Sequence, residues 1–133
     1  MFTKRTTLII SLILMIFIFS ACSQGLDPQV SIGAADAGKT VNLHTGDTLV
    51  VTLDGNITTG YNWIMLPQDS AILEQVGEPQ VTPDSDALGA GGKIVLNFKA
   101  VKTGQSNLNL AYMRSFETDA TPENTFEVLI NVK

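Results

Sequence analysis

From Thr40 onward, apolar and β-branched side chains recur at every second position, in short runs broken by Gly, Asp, Asn and Pro. Leu49, Val51 and Leu53 oppose Thr48, Val50 and Thr52, and Ile94, Leu96 and Phe98 alternate with polar neighbours. Leu108, Leu110 and Tyr112 oppose Asn107, Asn109 and Ala111, while Phe126, Val128, Ile130 and Val132 share one face of the last run. A period of two lines up one face of a pleated strand and cannot line up one face of a helix. The runs place seven strands at 40–43, 48–53, 61–65, 71–76, 93–100, 106–112 and around 126–132. With one cysteine in the chain, no intramolecular disulfide can staple them. The expected fold is all-β, an immunoglobulin-like seven-stranded antiparallel β-sandwich, with a small barrel as the competing architecture.

Strand parity then carries an implication. In an up-and-down stack, successive connections alternate between the two ends of the domain. The first, third and fifth are short turns, including His44–Asp47 and Lys102–Gln105. The second, fourth and sixth hold the Asn56 segment, a glycine-rich segment ending at Gly89–Gly92, and Met113–Asn124. Three unusual segments are thus expected at one pole, the arrangement of a three-loop binding face.

The N-terminus reads differently. Lys4 and Arg5 precede an apolar run from Leu8 to Phe19, followed by Ser20, Ala21 and Cys22. This is the layout of a secretory signal peptide over 1–21, against the alternative of a transmembrane anchor, which needs about 20 apolar residues. Phe19-Ser20-Ala21-Cys22 resembles the bacterial lipobox, with Phe19 where an aliphatic residue is usual. That resemblance implies lipidation of Cys22, membrane attachment and a place in the bacterial cell envelope outside the cytoplasm. Residues 22–39, rich in Ser, Gly, Ala and Asp, read as the lipidated cysteine and a flexible linker, with an edge strand through Val30 and Ile32 as the alternative. The folded domain proper is then 40–133.

Removing residues 1–21 takes Lys4 and Arg5 away and leaves six basic against thirteen acidic side chains, a net charge of −7. Such a domain lacks the basic surface that nucleic-acid binding requires. Catalysis fares no better. His44 is the only histidine and sits in a turn at the pole away from the three segments. With Cys22 read as the lipidation site, there is no other cysteine and no nucleophile elbow for it to work with, and no second histidine to build a zinc site. Gly89–Gly92 precedes a strand and lacks the Lys-Ser/Thr of a phosphate loop. The reading is therefore a binding protein without metal or cofactor, expected as a monomer, and not an enzyme. Trp63 is assigned to the core, and Phe116, in a polar segment, to the displayed surface.

Three segments together resemble one family. Asn56-Ile57-Thr58-Thr59-Gly60-Tyr61-Asn62-Trp63 is similar to the N-P-T-T-G-Y/F-x-W motif of the chagasin-like inhibitors of papain-type cysteine peptidases. Gly89-Ala90-Gly91-Gly92 matches that family's G-x-G-G, and Arg114-Ser115-Phe116 is similar to its R-P-W/F. The resemblance implies a wedge of three loops that enters a papain-like peptidase cleft and binds reversibly, offering no scissile bond in attack geometry. Asn56 to Tyr61 would lie over the catalytic cysteine, with Thr58 and Thr59 nearest the thiolate. Gly89, Ala90, Gly91 and Gly92 would flank one side; Arg114, Ser115 and Phe116 would flank the other. Ile57 and Ser115 stand where the family usually has proline, which implies looser free loops and either weaker or slower inhibition or a changed target preference. The competing function is an immunoglobulin-like envelope adhesion or structural lipoprotein that uses the same loops on a different partner.

Overall fold

Alternation along the chain becomes two stacked sheets in the computed structural model, which describes residues 27–68, 70–117 and 120–133. The expected signal peptide and Cys22 lie outside the described residues. The strands are β1 (Gln29–Gly33), β2 (Thr40–Leu43), β3 (Thr48–Gly55), β4 (Tyr61–Met65), β5 (Leu73–Gln75), β6 (Gln80–Pro83), β7 (Gly92–Ala100), β8 (Gly104–Arg114) and β9 (Asn124–Val132). One sheet runs β1-β3-β7-β5, with β6 also on β7; the other runs β2-β9-β8-β4. Among the described residues the only helical pieces are two 3-10 turns, Ala34–Asp36 and Ile57–Thr59.

The period-two faces meet between the sheets. Leu49, Val51, Ile94, Leu96 and Phe98 from one sheet, and Leu108, Leu110, Val128 and Ile130 from the other, are fully buried. Trp63 joins the same core. Burying one such side chain contributes about 1.5–3 kcal/mol, so this double layer carries most of the fold's stability.

The immunoglobulin-like sandwich is the observed architecture, with three corrections to its details. Among the described residues nine strands are present rather than seven, and two pairings are parallel: β1 with β3 and β2 with β9. The stretch expected as linker is folded from Gln29 onward, the edge-strand alternative. Val30 and Ile32 pack on the core, and five residues of β1 run in register with β3. After Gly33 the chain crosses to the other sheet through the Ala34–Asp36 turn, where the Asp36 carboxylate accepts the Gly33 N–H at 3.0 Å. That bond, helped by Lys39, holds the Asp36 carboxyl below its usual range. The third correction is β6, which occupies part of the segment expected as loop.

Parity survives the extra strand. β5 and β6 are both antiparallel to β7 and lie on the same edge of it, so they run in the same direction as one interrupted strand. The connection from β5 to β6 therefore does not reverse the chain. The segments 56–60 and 84–91, and the connection that leaves β8 after Arg114 and enters β9 at Asn124, all emerge at one pole. At the other, Thr45 N–H bonds to Lys133 O at 3.1 Å, Gly46 N–H to Ala100 O at 2.8 Å and Thr48 N–H to Pro28 O at 3.0 Å.

Candidate functional site

The loop pole is built on a ladder of rings. Tyr61 and Trp63 point from β4 to the same side, and their partners across the strand pair are Arg114 and Tyr112 of β8. The Tyr112 ring stacks on Tyr61 with centroids 5.3 Å apart and tilts against Trp63 at 5.2 Å. The Arg114 guanidinium lies 4.7 Å over the Tyr61 ring. Trp63 is buried and donates its indole N–H to Asp54 O at 3.0 Å, which fixes the end of β3. The buried indole, on the strand that leaves the loop, thus also anchors the strand that enters it.

Above the ladder, the first loop is a capped turn. Asn56, in extended backbone, accepts the Thr58 N–H on its side-chain oxygen at 3.1 Å. The same oxygen accepts the Thr58 hydroxyl at 2.6 Å, and Thr59 donates its hydroxyl to Asn56 O at 2.6 Å. Gly60 ends the turn at φ 82°, a conformation that side chains with a Cβ resist. From below, the Tyr112 hydroxyl accepts the Asn56 N–H at 2.7 Å and donates to Asn56 O at 3.3 Å. Thr58 and Thr59 are exposed, yet their hydroxyl protons are committed inside the loop. Toward a partner they offer methyl groups, oxygen lone pairs and backbone.

The other two loops are tied to the first. The Asn56 side-chain amide donates to Gly89 O at 2.8 Å, which joins the second loop. Arg114 donates to Thr59 O at 3.3 Å and to Glu117 at 3.0 Å, which joins the third. The bond to Glu117 raises the Arg114 pKa above its ordinary value. Phe116 is 71 % exposed, as expected of a displayed aromatic, and its ring edge lies so close to Gly60 that a Cβ there would meet it at 3.2 Å.

The structure brings every candidate peptidase-binding residue to this pole, but not all to its surface. Ile57, Thr58, Thr59, Gly60, Gly89, Ser115 and Phe116 are exposed; Asn56, Tyr61, Ala90, Gly91 and Arg114 are half-buried. Gly92 is buried inside β7, where a Cβ would fall 2.3 Å from Thr82 O, so its place is to let β6 and β7 close beneath the second loop. Arg114 spends its guanidinium on the neighbouring loops and acts as a strut.

Two residues were missed by the sequence reading. Tyr112 was read only as one of an inward face; its place at the loop end of β8, across from Trp63, is the signal that could have marked it as the support of the first loop. Leu88 at the tip of the second loop is fully exposed, an apolar side chain beside the Gly89 that was singled out. With Ile57 and Phe116 it gives each loop one displayed apolar group.

Among the described residues no catalytic constellation accompanies them. His44 is 80 % exposed at the opposite pole, beside Asp47, whose carboxylate caps the His44 N–H at 2.7 Å. Among the described residues no group of three or more His, Cys, Asp or Glu side chains is placed to hold a metal ion.

Comparison with known proteins agrees with this geometry. The sequence model described as chagasin family peptidase inhibitor matches residues 42–130. Amoebiasin-1 of Entamoeba histolytica is 30 % identical over 96 residues, covering 71 % of this chain and 90 % of that protein. Chagasin of Trypanosoma cruzi is 28 % identical over 103 residues, covering 72 % and 91 %. Among solved structures, Leishmania mexicana ICP is 38 % identical with a TM-score of 0.55, over 74 % of this chain and 90 % of that one. The cysteine protease inhibitor EhICP2 of Entamoeba histolytica has a TM-score of 0.67 at 16 % identity, over 81 % and 98 %, a likeness of fold alone.

Proposed function

Since the chain belongs to the chagasin family of peptidase inhibitors, we propose that it is a reversible protein inhibitor of papain-family cysteine peptidases, which it blocks by filling the active-site cleft with its three loops. The observation that carries the reading is the mutual locking of those loops through Asn56, Tyr112 and Arg114. A surface already held in one shape gives up little conformational freedom on binding, so more of its contact energy appears as affinity. Membership in a family of peptidase inhibitors adds support, as does a structural neighbour solved in complex with falcipain-2.

In this reading the Ile57–Thr59 turn enters deepest and covers the catalytic cysteine. Leu88 and Gly89–Gly91 line one flank, and Ser115 with Phe116 the other. The protein has no enzymatic activity of its own and acts as a monomer. Its N-terminus is a bacterial lipoprotein signal peptide over 1–21, and a lipid on Cys22 holds 40–133 at the cell envelope; the Lys4-Arg5, apolar run and Ser20-Ala21-Cys22 series supports this.

Titrating active papain with the purified protein tests the inhibition: activity should fall to zero near one equivalent, and full activity at a large molar excess would sink the reading. Phe116→Ala, at an unchanged melting temperature, should weaken inhibition by about tenfold, the loss of roughly 1.4 kcal/mol from an exposed aromatic anchor. Equal potency would take Phe116 off the contact surface.

A further inference from the structure

The folding of residues 29–38 changes where the chain can be held. β1 runs parallel to β3, with Gln29 level with Thr48 and Gly33 level with Thr52. The described chain therefore enters at the pole opposite the three loops. It is fastened there by Pro28 O, which accepts the Thr48 N–H at 3.0 Å, and by Asp27, which pairs with Lys99 at 2.6 Å. Only residues 23–26 separate Cys22 from Asp27. Such a tether spans at most about 18 Å when fully extended. The eight residues of β3 span more than that, roughly 25 Å from entry pole to loop pole.

We infer that the domain stands on the membrane on its entry pole, with the three loops held outward into the aqueous space, so that it captures peptidases arriving from that space and not ones lying against its own membrane. This rests on the proposed N-terminal membrane attachment. Inversion is excluded by length, because the tether is shorter than the domain. Lying flat is opposed by charge. At the loop pole Lys93 and Arg114 are taken by Asp54 and Glu117, while Asp84, Asp86 and Glu123 have no ion-pair partner among the described residues. At the entry pole, among the described residues, Lys99, Lys102 and Lys133 stand against Asp27, Asp47 and Glu74. An anionic lipid surface repels the first pole and is indifferent to the second.

The full lipidated protein, reconstituted into vesicles of phosphatidylcholine with a minority of phosphatidylglycerol, tests the orientation. With lipid on Cys22, a cysteine introduced by Lys102→Cys or Asp86→Cys is the only free thiol, and each can carry a fluorophore. Headgroup spin-labelled lipid should quench the label at 102 strongly and the label at 86 hardly at all. Papain should be inhibited with the same constant by vesicle-bound and detergent-solubilised protein. Quenching at 86 equal to that at 102 overturns the inference, and so does inhibition lost on vesicles but present in detergent. Failure to float with vesicles removes the anchor and the inference together. Failure to inhibit papain in detergent strikes the proposed function alone, since the quenching pattern still reports orientation.

Discussion

The first and second loops reach the same pole and each depends on glycine, but they are held by different means. The first sits on a ladder of rings rooted in the buried Trp63, and side chains make its bonds: Asn56, Thr58, Thr59 and Tyr112. The second is closed by backbone, with Asp84 N–H on Gly91 O at 2.9 Å and Ala90 N–H on Ala87 O at 3.1 Å. Only the Asn56 amide ties it to the first. A loop fixed by side chains is specified residue by residue. One fixed by backbone tolerates change at its tip, where Leu88 stands free, and can adapt to a partner.

Substitutions can break that contrast or sharpen it. The largest effect is expected from Trp63→Ala, which removes the buried rung under the first loop. It should cost about 3–5 kcal/mol in denaturant unfolding, and a cost below 1 kcal/mol would refute the ring scaffold. Gly92→Ala attacks the base of the second loop by forcing β6 from β7, and should cost about 1–3 kcal/mol. Its effect on inhibition should follow stability, since the tip is untouched.

Asn56→Ala cuts the cap and the tie to Gly89 together. A stability loss of about 1 kcal/mol is expected from the cap alone. Inhibition should weaken by about tenfold or more, as two loops lose a common reference. A variant that melts lower yet inhibits equally would show that the loops need no mutual locking. The smallest change runs the other way. Ile57 occupies the first position of a 3-10 turn, whose N–H has no acceptor within the turn, and Asn56 before it has the extended backbone (φ −136°, ψ 98°) that a following proline requires. Ile57→Pro should therefore raise stability by about 0.4–1 kcal/mol and tighten inhibition about two- to fivefold. The same experiment on Leu88 at the free tip, Leu88→Pro, should bring no such gain.

Much of this was legible in the chain because burial between two sheets imposes a period of two. Leu49, Ile94, Phe98, Leu108, Phe126 and their alternates were placed correctly for that reason. Parity then collected the three loops without knowledge of any contact. What stayed hidden had no such pattern. β6 is exposed at all four positions and holds on through backbone pairing with β7, so no hydrophobic alternation announces it. β1 pairs along one side with β3, and its Val30 and Ile32 are surrounded by turn-forming residues that read as tether. Cross-strand register, which the sequence does not state, decided that Tyr112 faces Trp63 and that Arg114 faces Tyr61. Hence the reading gave Arg114 only a contact with a partner, and the bonds from its guanidinium to the neighbouring loops went unread.

The internal use of the Thr58 and Thr59 hydroxyls bears on how long such a loop would last beside a peptidase. To be cut, a turn must first open into an extended strand, and the rate of loss follows the small fraction of time it spends open. Each of the side-chain bonds across Asn56 holds the turn shut by about 0.5–1.5 kcal/mol. Acting together, the three bonds from Thr58 and Thr59 lower the open fraction by about one to three powers of ten. The paired threonines are in this sense a clock as much as a contact: they set how many encounters the protein survives.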